Sequence, residues 1–306
     1  MAVQRYMAVI GAGLMGHSIA LTFARAGNCL RVFDPSPESL ASLHERVGAS
    51  LRALGAAEID AVLDRIKLAD SIPGCVKNAS FVTEATPENL ELKRSVFAAV
   101  EASAPANCIL ASNTSVIPIT KIMKGLKDPS RALGTHWWNP GHLIPLVELI
   151  RTEWTSEEAV QRTYALLREA GKTPVRVEKD VPGFIGNRLQ HALWREAISL
   201  VERGICDAES VDTVIKSCFG RRLAVLGPLE NADLVGTDLT FDIHQNVLFD
   251  LESRQGPSPY LERLVAEGKL GMKTGQGFRR WTPEEAQAVR DKVASHLVKL
   301  DGILSD

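Results

Sequence analysis

A glycine-rich stretch near the amino terminus limits the possible folds of this chain more than any other feature. The apolar run 7–10 predicts a short strand, which leads directly into Gly11-Ala12-Gly13-Leu14-Met15-Gly16. A helix is predicted from about Leu14 to Ala26, and a second predicted strand over 29–33 ends at Asp34. A GxGxxG motif between a strand and a helix, with an acidic residue about 20 positions further on, is typical of a dinucleotide-binding βαβ unit.

The three glycines of this motif have different expected tasks. Gly11 permits the tight turn, Gly13 lets a pyrophosphate approach the backbone, and Gly16 allows the helix to pack closely on the strand. Free amides and the helix dipole at the start of the helix favour a bound phosphate. We therefore expect the whole loop from Gly11 to Gly16 to contact a dinucleotide. A glycine-rich turn without a ligand is the alternative.

Asp34 predicts which dinucleotide binds. A carboxylate at this position accepts hydrogen bonds from the adenosine ribose and repels a 2′-phosphate. The next residues are Pro35 and Ser36, so no arginine follows closely to accept that phosphate. The sequence therefore favours NAD over NADP as the cofactor.

The stretch from Gly134 to Ile150, GTHWWNPGHLIPLVELI, is where we expect the chemistry. It predicts a strand ending at His136, a wide loop that carries Asn139, and a second apolar strand that contains Glu148. A loop that turns the chain back could bring the imidazole and the carboxylate together as a general base and its orienting partner. The alternative is a core hairpin in which the two side chains merely satisfy each other.

The remaining pattern predicts an α/β fold: a Rossmann-type doubly wound sheet followed by an all-helical C-terminal domain. The NAD-binding domain is expected over 1–180 with a helical insertion at 37–66, and the helical domain over 181–306. Further strands are predicted near 67–69, 81–84, 109–111 and 174–177, and helices beyond 180 near 184–203, 208–218, 239–251, 259–266 and 284–300. No alternating strand pattern continues beyond Asp180, and this sets the boundary.

Three sets of polar residues have two interpretations each. Ser112-Asn113-Thr114-Ser115 follows a predicted strand and could cap a helix or bind the nicotinamide ribose or the substrate oxygen. The basic residues of the insertion, Arg46, Arg52, Arg65 and Lys67, are interpreted as a solvated face and not as a phosphate clamp. His17 could add a donor near the pyrophosphate or point to solvent.

Composition excludes several classes of function. The 306 residues carry a net charge of −2 without a basic block, which argues against nucleic acid as a partner. No run reaches the roughly 18 apolar residues of a membrane span, and the chain enters its first strand without room for a signal peptide. The five cysteines are scattered without CxxC pairing, so we expect thiols in a reducing cytoplasm and no metal site.

Seven separated pieces of the chain together resemble the L-3-hydroxyacyl-CoA dehydrogenase family over essentially the full length. These pieces are GAGLMG with Asp34, PENLELK (87–93), SNTS (112–115), HWWNP (136–140), Glu148, DVPGFIGNR (180–188) and LGMKTGQGF (270–278). Each piece alone would be weak, and their common order makes the resemblance strong.

The resemblance implies a role for specific residues. His136 would be the catalytic base with Glu148 as its partner, and Ser115 and Asn187 would hold the reacting oxygen. The implied cofactor contacts outside the glycine-rich loop are Asp34, Glu88, Lys93, Ser115, Asn139 and Lys273. Asn187 could instead be an ordinary helix residue, and Lys273 a surface charge. The family also implies that the helical domain forms a homodimer.

The expected substrate is a small molecule, first an L-3-hydroxyacyl-CoA that is oxidised to the 3-ketoacyl-CoA. The sequence departs from the acyl-CoA members at Trp137 and Trp138, where they usually have two phenylalanines, and its helical insertion is poor in lysine. It also resembles relatives that use no CoA, such as L-gulonate, carnitine and pyridine-carboxylate dehydrogenases. The two tryptophans either line a pocket for a compact substrate or anchor the loop in the core.

Two other classes of protein remain as alternatives. A non-catalytic NAD-binding protein would not need the intact set of His136, Glu148, Ser115 and Asn187. A decarboxylating β-hydroxyacid dehydrogenase would carry a catalytic lysine where this chain has Asn187.

Overall fold

The structure, a computed structural model, describes residues 6–304. Eight strands form one sheet in the order β3-β2-β1-β4-β5-β6-β7-β8. The strands are β1 (Tyr6–Ile10), β2 (Cys29–Phe33), β3 (Ile66–Leu68), β4 (Phe81–Glu84), β5 (Ile109–Ser112), β6 (Ala132–Trp137), β7 (Leu146–Ile150) and β8 (Thr173–Val177). All neighbouring strands run parallel except β6 and β7, which are antiparallel.

Helices surround this sheet in the first unit of the fold. They are α1 (Leu14–Arg25), α2 (Pro37–Ala41), α3 (Leu43–Ala53), α4 (Ile59–Asp64), α5 (Ile72–Val76), α6 (Leu90–Ser103), α7 (Ile119–Met123) and α8 (Glu157–Glu169). Helices α2 to α4 form the predicted insertion. Local sequence explains where the longer helices begin, since Asn89 and Ser156 each accept a hydrogen bond from the backbone N–H three residues later.

The core lies on both faces of the sheet because successive strand residues point to opposite sides. On β1, Val9 packs with α1 and α3 on one face, and Ile10 packs with α6 on the other. The strand order reverses between β1 and β4, which lie side by side although β2 and β3 separate them in the chain. In open α/β sheets, ligands bind beyond the carboxyl ends of the strands at this switch point.

The remaining helices are α9 (Gly186–Glu202), α10 (Ala208–Ser217), α11 (Pro228–Val235), α12 (Thr237–Val247), α13 (Pro259–Ala266) and α14 (Pro283–Leu304). The described chain divides into two compact units, one with residues up to Arg188 and from Ala294 onward, the other Leu189–Val293. The second unit has no strand among its described residues, only two isolated bridges near 271–280. The predicted Rossmann-type sheet followed by a helical part is confirmed.

Two details differ from the sequence-based expectation. The domain limits at 180 and 181 stay a prediction, while the two compact units divide after Arg188 and the end of α14 belongs to the first unit. The sequence pattern does not predict helices α5 and α11. They are only five and eight residues long, and short helices lack the repeated apolar spacing that reveals a helix in sequence.

Candidate active site

The hairpin of β6 and β7 brings His136 and Glu148 together. The antiparallel register places the two residues directly opposite each other, where the Cβ atoms of a cross-strand pair lie about 5 Å apart. His136 Nδ1 lies 2.7 Å from Glu148 Oε2, and both side chains are buried. A two-residue alternation along each strand is thus enough to point the imidazole and the carboxylate to the same side of the sheet.

The second oxygen of Glu148 binds the chain segment that leads into α9. Oε1 accepts hydrogen bonds from the backbone N–H groups of Ile185, at 2.8 Å, and Gly186, at 3.0 Å. Burial alone would raise the pKa of Glu148, but the hydrogen bonds from His136, Gly186 and Ile185 outweigh it and hold the pKa below its ordinary value. An ionised Glu148 favours the imidazole tautomer with hydrogen on Nδ1, which leaves Nε2 free to accept a proton.

Two aromatic rings flank the imidazole. The ring centroids of Trp138 and Phe184 lie 5.1 and 5.5 Å from that of His136. Phe184 is buried and adopts φ +52°, a left-handed conformation that is uncommon for a residue with a side chain. A Cβ on Gly186 would lie 2.3 Å from Cζ2 of Trp138, so only glycine fits there. The segment 184–186 is therefore shaped to pack against the pair.

The two tryptophans have different surroundings. Trp137 is buried in the core, with its ring edge-on to Phe23 at 5.5 Å. Trp138 is half-buried and lies against the imidazole of His136. Trp137 therefore anchors the loop, and only Trp138 is placed where it could meet a substrate.

Ser115 and Asn187 lie next to each other. Asn187 Nδ2 donates to the backbone carbonyl of Ser115 at 3.0 Å, and both residues are half-buried. Within the described part of the chain, no hydrogen bond is found for the Ser115 hydroxyl. The arrangement leaves that hydroxyl able to bind a ligand oxygen.

A second buried carboxylate, Glu84, organises the residues around Ser115. Glu84 stands at the end of β4 and accepts hydrogen bonds from Lys93 Nζ at 2.8 Å and Ser112 Oγ at 2.6 Å, as well as from Thr86. The sequence places Glu84 at a strand end but suggests no role for it. A carboxylate at the carboxyl end of a buried strand, followed nine residues later by a lysine on a helix, is the signal that could have revealed this pair.

The predicted cofactor residues Glu88 and Lys93 belong to the same network. Glu88 accepts hydrogen bonds from the Thr114 hydroxyl, at 2.7 Å, and from the backbone N–H of Ser115. Lys93 is fully buried, and its ammonium donates to Glu84 and to the Thr86 carbonyl, with Glu88 at 3.8 Å. Their contact with a cofactor stays a prediction, because the charge of Lys93 is already paired with a protein carboxylate.

The glycine-rich loop fits the phosphates of a dinucleotide. A Cβ on Gly16 would lie 1.8 Å from the Gly11 carbonyl oxygen, whereas the space beside Gly13 is open. Gly13 precedes α1 without a side-chain cap, and the first turn of α1 has no acidic residue. The free amides therefore face an anion site with no competing carboxylate. Asp34 accepts a hydrogen bond from the Ala12 N–H at 2.7 Å and lies beside this loop.

The two other predicted cofactor residues are solvent-exposed. Asn139 lies in the loop between β6 and β7. Lys273 lies in the turn region after α13, where it borders an apolar cavity of about 620 Å³ within the second unit, lined among others by Trp194, Leu264 and Phe278. The role of both residues stays a prediction.

A buried lysine holds the loop between His136 and Glu148. Lys172 Nζ donates to the carbonyls of Gly141, at 2.6 Å, and Ile144, at 3.0 Å, and lies 5.4 Å from the ring centroid of Trp137. His142 of the same loop contacts Ser18 on α1 through Nδ1 at 3.3 Å. These contacts join the loop to the helix that is expected to receive the phosphates.

His17 is neither solvent-exposed nor directed at the glycine-rich loop by any hydrogen bond of its side chain that is found in the described chain. It is only 8% exposed, with its ring centroid 6.1 Å from that of His142 and Nε2 3.5 Å from Ser50 Oγ. Burial is the largest cause that lowers its pKa.

Three further findings concern the described residues. All five cysteines are free. No group of three or more histidine, cysteine, aspartate or glutamate side chains in residues 6–304 is placed to hold a metal ion. No helix in that range combines the length and the apolar character needed to cross a membrane.

His142 should make stability depend on pH. Burial, followed by the charges of His17, Lys172 and Arg25, lowers the pKa of His142 from 6.5 to about 4. Between these values the unfolded chain binds a proton that the folded chain does not, so this contribution is complete above about pH 6.5 and is lost as the pH falls. We expect Tm to fall less for His142→Gln than for the wild type between about pH 7 and pH 4.5.

Differential scanning calorimetry across that pH range is the measurement, with His296→Gln on the exposed face of α14 as the matched control. The control should follow the wild type. Parallel Tm curves for His142→Gln and the wild type would contradict the assignment.

Comparison with known proteins places the fold and the site in one family. The family model of the 3-hydroxyacyl-CoA dehydrogenase NAD binding domain matches residues 6–181, and that of the C-terminal domain matches 183–281. A 5-formyl-3-hydroxy-2-methylpyridine 4-carboxylate 5-dehydrogenase of Mesorhizobium japonicum is 36% identical over 98% of this chain and 98% of its own length. A probable 3-hydroxybutyryl-CoA dehydrogenase of Bacillus subtilis is 36% identical over 88% of this chain and 95% of its own.

A solved structure gives the same result. The crystal structure of a 5-formyl-3-hydroxy-2-methylpyridine 4-carboxylic acid 5-dehydrogenase, described as an NAD⁺-dependent dismutase, matches with a TM-score of 0.91 at 35% identity, over 98% of both chains. The chain therefore belongs to the 3-hydroxyacyl-CoA dehydrogenase family and is an NAD-dependent oxidoreductase that acts on a hydroxyl group.

Proposed function

We propose that this protein catalyses the reversible NAD-dependent oxidation of an L-3-hydroxyacyl-CoA to the 3-ketoacyl-CoA. The observation that carries the proposal is the buried pair of His136 and Glu148, 2.7 Å apart, with Glu148 also held by two backbone amides. A carboxylate that accepts three hydrogen bonds has a fixed orientation, so it fixes the imidazole that donates to it. Such a pair suits the removal of a proton from an alcohol.

The proton transfer follows from the tautomer of His136. With hydrogen on Nδ1 and the carboxylate of Glu148 beside it, Nε2 accepts the proton of the substrate hydroxyl. The negative charge of Glu148 then stabilises the imidazolium that forms, as the acid does in a Ser-His-Asp triad. In the reverse direction the imidazolium returns the proton to the carbonyl oxygen.

Ser115 and Asn187 are the proposed partners of the reacting oxygen. The Ser115 hydroxyl and the remaining Asn187 amide hydrogen can donate to that oxygen as it gains carbonyl character. The carbonyl of Ser115 already holds Asn187 at 3.0 Å, and Glu88 holds the Ser115 amide. Both donors are therefore oriented before a substrate arrives.

The cofactor would be held by the glycine-rich loop at its phosphates and by Asp34 at its adenosine ribose. NAD⁺, when bound, accepts the hydride from the substrate carbon at C4 of its nicotinamide. Glu88, Lys93, Asn139 and Lys273 are proposed as further contacts. Support comes from the placement of Glu88 and Lys93 beside Ser115, and from the position of Asn139 three residues after His136.

Removal of the imidazole should abolish turnover. We expect His136→Gln to lower kcat by about 10²- to 10⁴-fold, the contribution typical of general acid–base catalysis. Binding of NADH should persist because His136 is not part of the glycine-rich loop. The measurement is NADH formation, followed by its absorbance, together with a fluorescence titration of NADH, and His296→Gln is the control. Near-normal turnover of His136→Gln would refute the assignment.

A second candidate is the oxidation of a free hydroxy acid that carries no CoA, of the carnitine, L-gulonate or pyridine-carboxylate type. The specific observation in its favour is the likeness to the pyridine-carboxylate dehydrogenase over 98% of both chains, with a TM-score of 0.91. The half-buried Trp138 beside the imidazole adds a flat apolar surface next to the proposed base.

One assay separates the two candidates. NADH formation is compared with 3-hydroxybutyryl-CoA, carnitine, L-gulonate and a hydroxymethyl pyridine-carboxylate at equal concentrations. The acyl-CoA proposal predicts a kcat/KM for the CoA ester at least about tenfold above that for any free acid, which corresponds to about 1.4 kcal/mol of transition-state binding. Activity with a free acid and none with any CoA ester would overturn it.

We further propose that the protein is a cytoplasmic homodimer formed through the second unit. Helices α10 to α12 have no buried residue, and several large apolar side chains there are exposed, with Leu229 at 80%, Phe249 at 82% and Phe241 at 64%. Contiguous exposed apolar surface on a soluble unit is typical of an interaction site. Support for a cytoplasmic location comes from the five free thiols, which are typical of a reducing compartment.

The dimer should dissociate when a charge is placed in this surface. We expect the wild type to sediment at twice the chain mass of 33.3 kDa, and Phe241→Glu to shift toward the monomer because a buried unpaired carboxylate is costly. Sedimentation velocity over a concentration series is the measurement. Lys127→Glu, an exposed site in the first unit, is the control. A wild type that stays monomeric would contradict the proposal.

A further inference from the structure

One arginine of the helical insertion binds the glycine-rich loop. Arg46, on α3, donates from its guanidinium to the carbonyl of Ala12 at 2.6 Å and to that of Gly13 at 3.4 Å. The same group donates to the carbonyl of Ser39 on α2 at 2.8 Å, and Nε donates to Ser42 Oγ at 3.2 Å. The expectation of a solvated face is therefore wrong for Arg46, which is half-buried against the loop.

Asp34 and Arg46 hold the same residue of that loop. Asp34 accepts from the N–H of Ala12 at 2.7 Å, while Arg46 donates to the carbonyl of Ala12. Each also binds the segment that follows β2, Asp34 through the N–H of Ser36 at 2.8 Å and Arg46 through the carbonyl of Ser39. A carboxylate and a guanidinium thus both contact Ala12, at the expected ribose side of the cofactor site.

We propose that Arg46 is a positioning and specificity residue of the cofactor site. It fixes the backbone of Ala12 and Gly13 so that the loop is ready for the pyrophosphate. It also supplies the cation that would accept a 2′-phosphate, so that the carboxylate of Asp34 alone keeps NADP out. The proposal rests on the use of NAD and is independent of which hydroxy acid is the substrate.

The charge and the geometry of Arg46 give the proposal its physical basis. A guanidinium presents five donors in a rigid fork, and a charged donor binds a carbonyl more strongly than a neutral one. Three carbonyls and one hydroxyl use part of the fork and leave donors for a ligand. The adenosine end of NAD lies far from the reacting carbon, so losses there affect binding of the ground state and the transition state equally and raise KM without lowering kcat.

The first test measures binding without any substrate. Fluorescence titration with NADH should show Kd raised about tenfold by Arg46→Leu, and kinetics with saturating NAD⁺ should give kcat within about twofold of the wild type. Arg52→Leu removes the same charge from the same helix at an exposed site and should leave Kd unchanged. Arg46→Lys, which keeps the charge without the fork, should fall between the two and serves as the second variant if Arg46→Leu does not fold.

Two results would overturn the positioning role. One is a Kd for NADH in Arg46→Leu and Arg46→Lys that equals the Kd in Arg52→Leu. The other is a loss of kcat with unchanged KM for NAD⁺, which would place Arg46 with the reacting groups. A protein that binds NADH as proposed but oxidises none of the substrates would refute the proposed function and leave this inference intact.

The second test removes the carboxylate. We expect Asp34→Ser to bind NADPH at least about tenfold more tightly than the wild type does, and Arg46→Leu added to Asp34→Ser to abolish that gain. In the Asp34→Ser background, Arg46→Leu should weaken NADPH binding at least about tenfold more than NADH binding, which is the discrimination expected of a cation beside a 2′-phosphate. No gain of NADPH binding in Asp34→Ser, or equal losses for both cofactors, would overturn the specificity role.

Discussion

The structure of the site depends on the buried carboxylate of Glu148. A buried charge is costly unless hydrogen bonds compensate for it, and Glu148 has three, from His136 and from the backbone amides of Ile185 and Gly186. The hairpin and the start of α9 are therefore bound to one side chain. Because the segment 184–186 must come close enough to donate both amides, it takes an unusual φ at Phe184 and has glycine at 186.

A second buried carboxylate plays a comparable part at the neighbouring strand ends. Glu84 gathers Lys93, Thr86 and Ser112, and through Lys93 it lies next to Glu88, which holds Thr114 and Ser115. The two networks meet where Asn187 donates to Ser115. The proposed base and the proposed oxygen partners are thus joined by a continuous series of hydrogen bonds from two acids.

The cofactor loop is fixed in a similar way by oppositely charged side chains. Asp34 binds the amide and Arg46 the carbonyl of Ala12, while the steric requirement at Gly16 keeps α1 close to the loop. Lys172 and His142 connect the far side of α1 to the loop between His136 and Glu148. The first unit thus has charged or polar contacts at each loop that is expected to meet a ligand, and an apolar core on both faces of the sheet between them.

The sequence by itself determined the order of strands and helices in the first unit, the glycine-rich loop and the opposition of His136 and Glu148. Those features follow from local rules: a period of two in strands, capping residues such as Asn89, and glycine where a Cβ would collide. Tertiary structure alone decided that Ile185 and Gly186 bind Glu148 across 37 and 38 residues, that Lys93 pairs with Glu84, and that Arg46 reaches Ala12 across 34 residues. No local pattern specifies these contacts, because each depends on which helix face and which strand end the completed sheet brings together.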